Sequence, residues 1–338
     1  MDTLTHTVLG ACVGDALAGR RIGKHAMLWG AVANNLPDID VVTSLWMSQA
    51  DGLLAHRGFT HSFLFALVLT PLLSYFLYNR YRASSMRLVD WLLLCGSGIF
   101  IHLLIDATTV YGTAWFEPFS HYRVAFNLFF VADLLYTLPF FIGALVLLRL
   151  SSQHPRRRFW YRLIFAFNLV YVLFAVRNKL VVDHSARAAF EKQGIAQVDY
   201  LTTPTPLNNF LWYVVAGTAD GYYVGYTSIL DTFPLSDLKF VPRNDSLMGP
   251  LKNDHEVSQL LRFSNGYYAI RKDSTGTELD DLRFGQVGGW YRPDAPFVFR
   301  YSLEKGANND LVIQRGRMEA FSWDALCQLY MRICSSGG

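Results

Sequence analysis

The sequence predicts a polytopic α-helical membrane bundle of about six segments, residues 1–180, followed by a C-terminal α+β soluble domain, residues 181–338. Three observations carry this. Of 338 residues, 52% are apolar and only 17% charged, against roughly 45–50% and about 25% in soluble domains. The long apolar runs lie almost entirely before residue 180, while 183–338 read as ordinary soluble sequence. Finally, Lys and Arg gather in alternate loops of the first half, as membrane topology requires.

The segments follow in order. Residues 63–78, 90–105, 133–150 and 159–176 are apolar runs of sixteen to eighteen residues, about 24–27 Å as helices against a hydrocarbon core of roughly 30 Å. Residues 7–19 and 26–36 are rich in Gly and Ala and flank the basic turn Arg20, Arg21 and Lys24; small residues let helices approach closely, so a tight hairpin is expected. Arg80, Arg82 and Arg87 fill the next basic loop, and Arg149, Arg156, Arg157, Arg158 and Arg162 the third. The positive-inside rule makes that side cytoplasmic, and puts the amino terminus, the 37–62 and 106–132 loops and everything after about 178 on the outer side. In a bacterial inner membrane that side is the periplasm or exterior. Asp2, His6 and Asp15 interrupt the amino terminus, so no cleavable signal peptide is expected.

Beyond 185–195, an expected helix, the runs FLWYVVAG, DGYYVGYTSIL, GYYAIRK, FVFRYSL and LVIQRGR are split by Gly, Pro, Asn and Asp. That is the pattern of antiparallel strands and hairpins. Residues 254–263 and 322–334 read as short amphipathic helices. A net charge of +3 without long basic runs argues against nucleic-acid binding. Four cysteines with no CxxC pair imply no thiolate metal cluster; Cys327 and Cys334 could pair only in an oxidising compartment.

The chemistry lies in His and Asp residues near segment ends: His6, Asp38 and Asp40 in NLPDID, His56 and His61 in HRGFTHS, His102 and Asp106 in HLLID, and Asp133. All fall on the predicted outer side, although that side was fixed by Lys and Arg alone. His102 and Asp106, i and i+4 on one helix face, can clasp one divalent ion. Imidazole and carboxylate donors favour zinc, with manganese, iron or nickel as other options, over calcium. Each motif alone has a plain reading, such as a helix cap at Thr60 or Ser62 for HRGFTHS. Ionisable residues beside a bilayer are costly, however, and their number on one side favours a metal site. Arg57 and Arg123 could hold a phosphate or carboxylate, or meet lipid headgroups.

The opening MDTLTHTVLGACVGDA, NLPDID, HRGFTHS, and HLLIDATTVYGT followed by EPFS resemble, in this order over about residues 1–150, the YdjM-like family of membrane-bound metal-dependent hydrolases. That family is distantly like zinc-dependent phospholipase C. The resemblance implies His6, Asp40, His61, His102 and Asp106 as metal ligands, with Asp38 and His56 as alternates or supporting partners. No second HxxxE/D helix is present, so one or two ions are expected rather than three. The resemblance implies a hydrolase and leaves the substrate open; the expected reaction is hydrolysis of a phosphoester or related ester, with Asp38 or Asp133 as general base, and location suggests membrane lipids as partners and a lipid or lipid-linked substrate. The competing expectations are a metal or proton transporter and a non-catalytic membrane scaffold.

Overall fold

The computed structural model describes residues 1–197, 199–231, 235, 237–273, 276–303 and 323–334. Two compact units divide the chain. One holds Met1–Leu45, Ala55–Val176 and Pro206–Asn208; the other holds Trp46–Leu54, Arg177–Thr205 and the described residues from Asn209 onward.

In the first unit, α1 (Thr3–Ile22) and α2 (Lys24–Asn35) form the glycine-rich hairpin. A Cβ on Gly14 would stand 2.0 Å from the Ala26 carbonyl oxygen, and one on Gly30 would stand 2.2 Å from that of Gly10. Only glycine permits this approach. Helices α4 (Phe63–Arg80), α5 (Leu88–Asp106) and α6 (Leu134–Arg149), with α7 (Arg156–Lys192) up to Val176, complete the unit. Three of these, α4, α5 and α7, are long and apolar enough to cross a membrane, and α6 is a shorter apolar helix. The expected count of six spans is therefore not reproduced. At twelve residues, α2 rises about 18 Å, short of the roughly 30 Å required, and α1 is largely buried against its neighbours rather than apolar on an outer face.

Contacts within this unit sort the loops into two ends. At one end Arg21 pairs with Asp90 at 2.7 Å, Gln153 Nε2 donates to the Arg20 carbonyl at 2.9 Å, and buried Arg157 pairs with Asp15. At the other, Asp2 N donates to Val131 O at 3.0 Å, Ala114 N to Arg57 O at 3.0 Å, and Phe63 N to Trp115 O at 2.9 Å. The basic loops thus share one end, and the His- and Asp-bearing segments share the opposite one.

The second unit is sheet-rich. Strands β1 (Asp199–Pro204), β2 (Leu211–Gly217), β3 (Gly221–Ser228) and β4 (Lys239–Pro242) form an antiparallel meander; β5 (Tyr268–Asp273), β6 (Gly276–Gln286) and β7 (Phe297–Ser302) form a second antiparallel sheet. Helices α8 (His255–Phe263) and α9 (Trp323–Cys334) match the two amphipathic stretches. The expected strand LVIQRGR lies outside the described residues. Cys327 and Cys334 are both free. Short α3 (Gln49–Ala55) begins in this unit, where Asp51 accepts hydrogen bonds from His255 Nε2 and Gln259 Nε2, each at 3.0 Å.

Candidate metal centre

Helix α2 ends at Asn35, and Pro37 carries the chain into an unusually long 3-10 helix, Leu36–Leu45. With three residues per turn, residues two apart diverge by about 120°, so Asp38 and Asp40 reach different neighbours. A second 3-10 turn, Phe59–His61, places His61 just before Ser62, whose Oγ accepts from Phe65 N at 3.1 Å and caps α4. The last turn of α5 supplies His102 and Asp106 on one face.

Four donor groups meet here: Asp38, His61, His102 and Asp106, with one ligand atom of each within 4.8 Å of all the others. The Nε2 atoms of His61 and His102 are 3.0 Å apart. His61 Nε2 lies 3.3 Å from Asp106 Oδ2 and 3.4 Å from Asp38 Oδ1; His102 Nε2 lies 3.5 and 3.6 Å from the same two atoms. A tetrahedral ion with bonds of about 2.0–2.2 Å requires ligand–ligand edges of about 3.3–3.5 Å. The observed edges bracket that value. Three of these side chains are fully enclosed, and Asp38 alone is partly open, with 19% of its side chain exposed.

The surroundings aim these donors inward. His102 Nδ1 donates to the Asn34 backbone oxygen at 2.5 Å, and His61 Nδ1 faces Asp40 Oδ2 at 3.2 Å. Each ring is therefore anchored by one nitrogen and presents the other to the centre, the support that histidine ligands commonly receive. Asp106 Oδ1 is held by His6 Nε2 at 3.0 Å and by the Met1 amino group. Its Oδ2 is buried without a hydrogen-bond partner, although Arg57 Nε is 3.1 Å away. An enclosed carboxylate oxygen set among an arginine, two imidazoles and a second carboxylate fits a cation.

His6 and Asp40 stand behind the four donors. The His6 ring stacks on His102 at 4.0 Å and its Nδ1 faces Asn34 Oδ1 at 3.1 Å. Asp40 accepts from Arg57 N at 3.0 Å, Thr60 Oγ1 at 2.9 Å and His56 Nδ1 at 3.0 Å. With Asp38 and His56, Asp40 also forms a second group of mutually close donors, so Asp38 belongs to both. Arg57, in the left-handed region at φ 60°, donates Nη1 to Thr109 Oγ1 at 2.7 Å and lies over the Tyr111 ring at 5.1 Å. Arg123 Nη2 donates to the His56 carbonyl at 3.0 Å. Asp133 is in neither group; its carboxylate accepts from Tyr171 OH and Tyr136 N and caps α6.

Sequence reasoning missed Asn34, which supports both His102 and His6. Its only signal is its place at the end of α2, immediately before the PDID turn.

The electrostatics follow from this packing. Burial opposes charge on His61, but Asp106, Asp38 and Asp40 together raise its pKa to about 10. Burial likewise opposes the charge on Asp40, yet hydrogen bonds from His56 and His61 hold it well below the usual carboxylate range. Asp38 is also lowered against burial, by His61 and the nearby His102.

The family described as YdjM inner membrane protein matches residues 1–180. The chain belongs to that family. YfhP of Bacillus subtilis is 30% identical over 321 residues, covering 88% of this chain and 90% of that protein. The inner membrane protein YbcI of Escherichia coli K12 is 35% identical over 123 residues, 36% of this chain and 69% of that protein. No solved structure matches. Membership of an inner-membrane family agrees with the three span-length apolar helices, and the motifs that signalled the family are the ones the fold gathers at one end of the bundle.

Proposed function

We propose that this YdjM-family protein is a metal-dependent hydrolase that cleaves a phosphoester of a lipid or lipid-linked substrate at the outer face of a bacterial inner membrane. The observation that carries the reading is the four-donor centre. Its edges suit a divalent ion, its imidazoles are oriented from behind, and its one partly open member, Asp38, marks the side on which water would join as a fifth ligand or replace that carboxylate.

A divalent ion, zinc by donor chemistry, would lower the pKa of a water and polarise the scissile group. One ion would be held by Asp38, His61, His102 and Asp106. Two carboxylates, a dication and Arg57 sum to one positive charge, which favours an anionic phosphoryl group. Arg123 fixes the backbone of His56. We assign proton transfer to His56, because its Nδ1 is held by Asp40 and its ring is a third exposed. Asp133 is the weaker candidate, since Tyr171 and Tyr136 already occupy its carboxylate. In the net step the water oxygen bonds to phosphorus and the P–O ester bond breaks. The water's proton passes through His56 Nε2 to the departing alkoxide.

The outer-face assignment is supported by the basic loops lying at the opposite end of the bundle, with residues 181–338 as an exterior domain. The test is metal quantification on detergent-purified protein, together with hydrolysis of a soluble phosphodiester and of phospholipid vesicles. Stoichiometric metal and activity that both fall in His102→Ala and Asp106→Ala are expected. Absence of bound metal, or activity that survives both changes, refutes the reading.

A further inference from the structure

We propose that the donor-bearing 3-10 helix Leu36–Leu45 is an interfacial wedge, and that the centre receives its substrate from the bilayer leaflet in which this wedge is seated. The substrate half of this inference rests on the hydrolase reading; the insertion half does not.

In a 3-10 helix, residues three apart eclipse one another. Ile39, Val42 and Leu45 therefore form one stripe, and they are 54%, 47% and 79% exposed. The same helix turns Pro37 and Asp40 inward, and Thr43 Oγ1 donates to the Asp40 carbonyl at 2.7 Å. One short element thus carries carboxylates towards the centre and an aliphatic row away from it. Such a row facing water would be a standing penalty, whereas at a bilayer surface it is an anchor.

The neighbours identify the occupant as lipid. Phe59 is exposed and belongs to the turn whose Thr60 bonds Asp40; its ring lies 5.8 Å from Phe65, at the start of span α4. Phe63 in α4 meets Trp115 at 5.1 Å and Phe116 at 6.0 Å, and Phe119 and Tyr122 project from the same loop. The lipid-facing surface of α4, with Leu67, Val68 and Leu72 exposed, ends in these aromatics. Aromatic side chains at the end of a span mark headgroup depth. The wedge shares that level through Asp40 and Thr60. The centre therefore lies where the phosphate of a membrane amphiphile lies, and Asp38 faces it at headgroup depth.

Two measurements on the full chain test this. With Cys327→Ser and Cys334→Ser as background, Val42→Cys carries a nitroxide in phosphatidylethanolamine–phosphatidylglycerol vesicles. The expected label collides more with oxygen than with a water-soluble nickel chelate. Preferential collision with the nickel chelate, or spin–spin broadening from a second copy, overturns the insertion. In parallel, Val42→Asp with Leu45→Asp is expected to lower hydrolysis of vesicle phospholipid about tenfold or more, with a soluble phosphodiester changed less than about twofold. Equal change on both substrates overturns lateral supply. A lipid-seated label in a protein that cleaves neither substrate supports the wedge and refutes the hydrolase reading separately.

Discussion

Metal binding should release a proton, and the structure says from where. His61 is held near pKa 10 by Asp106, Asp38 and Asp40 despite its burial, so at neutral pH its Nε2 carries a proton in the ion-free protein. That nitrogen is the one facing the other three donors. An ion must displace the proton, and apparent affinity should rise about tenfold per pH unit between about pH 6.5 and 8.5. At pH 7 the deficit relative to the deprotonated site is about three units, or ~4 kcal/mol. Titration calorimetry with zinc, in buffers of differing protonation enthalpy, should report about one proton released per ion bound. An affinity independent of pH, with no proton released, would refute the assignment of His61 Nε2 as a ligand. The sign for stability is opposite. In the ion-free protein the raised His61 pKa stabilises the fold fully below its unfolded value of about 6.5, and this is lost as pH rises through about 10.

Asp40→Asn removes the carboxylate behind His61 and His56 without touching the four donors, and should weaken metal affinity about 10- to 100-fold by competition with a chromophoric chelator. At the opposite end of the bundle, Arg157→Ala leaves Asp15 buried without its partner; a loss of about 3–5 kcal/mol is expected in denaturation experiments, with metal stoichiometry unchanged. In the sheet-rich unit, burial is the main force raising Asp280 to about 6, with Arg271 opposing it. A raised carboxyl pKa destabilises progressively above the unfolded value of about 3.8 and fully above the folded value of about 6, so Asp280→Asn should stabilise that unit by up to ~3 kcal/mol at pH 8 and by nothing below about pH 4, read from thermal melts.

The apolar runs at 63–78, 90–105, 133–150 and 159–176 became α4, α5, α6 and part of α7 because long uninterrupted hydropathy is the strongest local signal a chain carries. The helix expected at 185–195 as a continuation of the last membrane segment is the end of α7, which runs to Lys192: neither Gly nor Pro intervenes, and Lys179 pairs with Asp183 at 3.0 Å across one turn. Strand β6 went unread because its sequence is GTELDDLRFGQ. Two of its charges pair inside the sheet, where Arg283 meets Asp281 at 2.6 Å and lies over Phe263 at 4.7 Å, and no hydropathy pattern announces such pairing. The site residues were legible as a set, since chemistry and spacing marked every motif. The division of labour was not. Which of Asp38 and Asp40 faces the four-donor centre depends on the 3-10 pitch of Leu36–Leu45, and a PDID turn in sequence does not specify that pitch. Likewise, His6 backs Asp106 only because α1 and α5 are brought together through glycine contacts with α2.

The hydrolase proposal and a structural metal knot make different demands on the charge balance of the centre. Asp38, Asp40 and Asp106 are three negative charges, and Arg57 and protonated His61 lie against them. Asp40 is saturated by donors from Arg57, Thr60, His56 and His61. A zinc-dependent fold lacks such internal neutralisation, and its thiolates and imidazoles repel or scatter when the ion leaves. Here the proton on His61 stands in for part of the ion's charge, and the surrounding hydrogen bonds anchor each ring by the nitrogen that does not face the centre. The donors are thus arranged without an ion, which is the preorganisation that the proposed hydrolase reading requires. Chelation should accordingly abolish hydrolysis while leaving the far-ultraviolet circular dichroism and melting temperature nearly unchanged. Unfolding on chelation would instead make the ion a scaffold element.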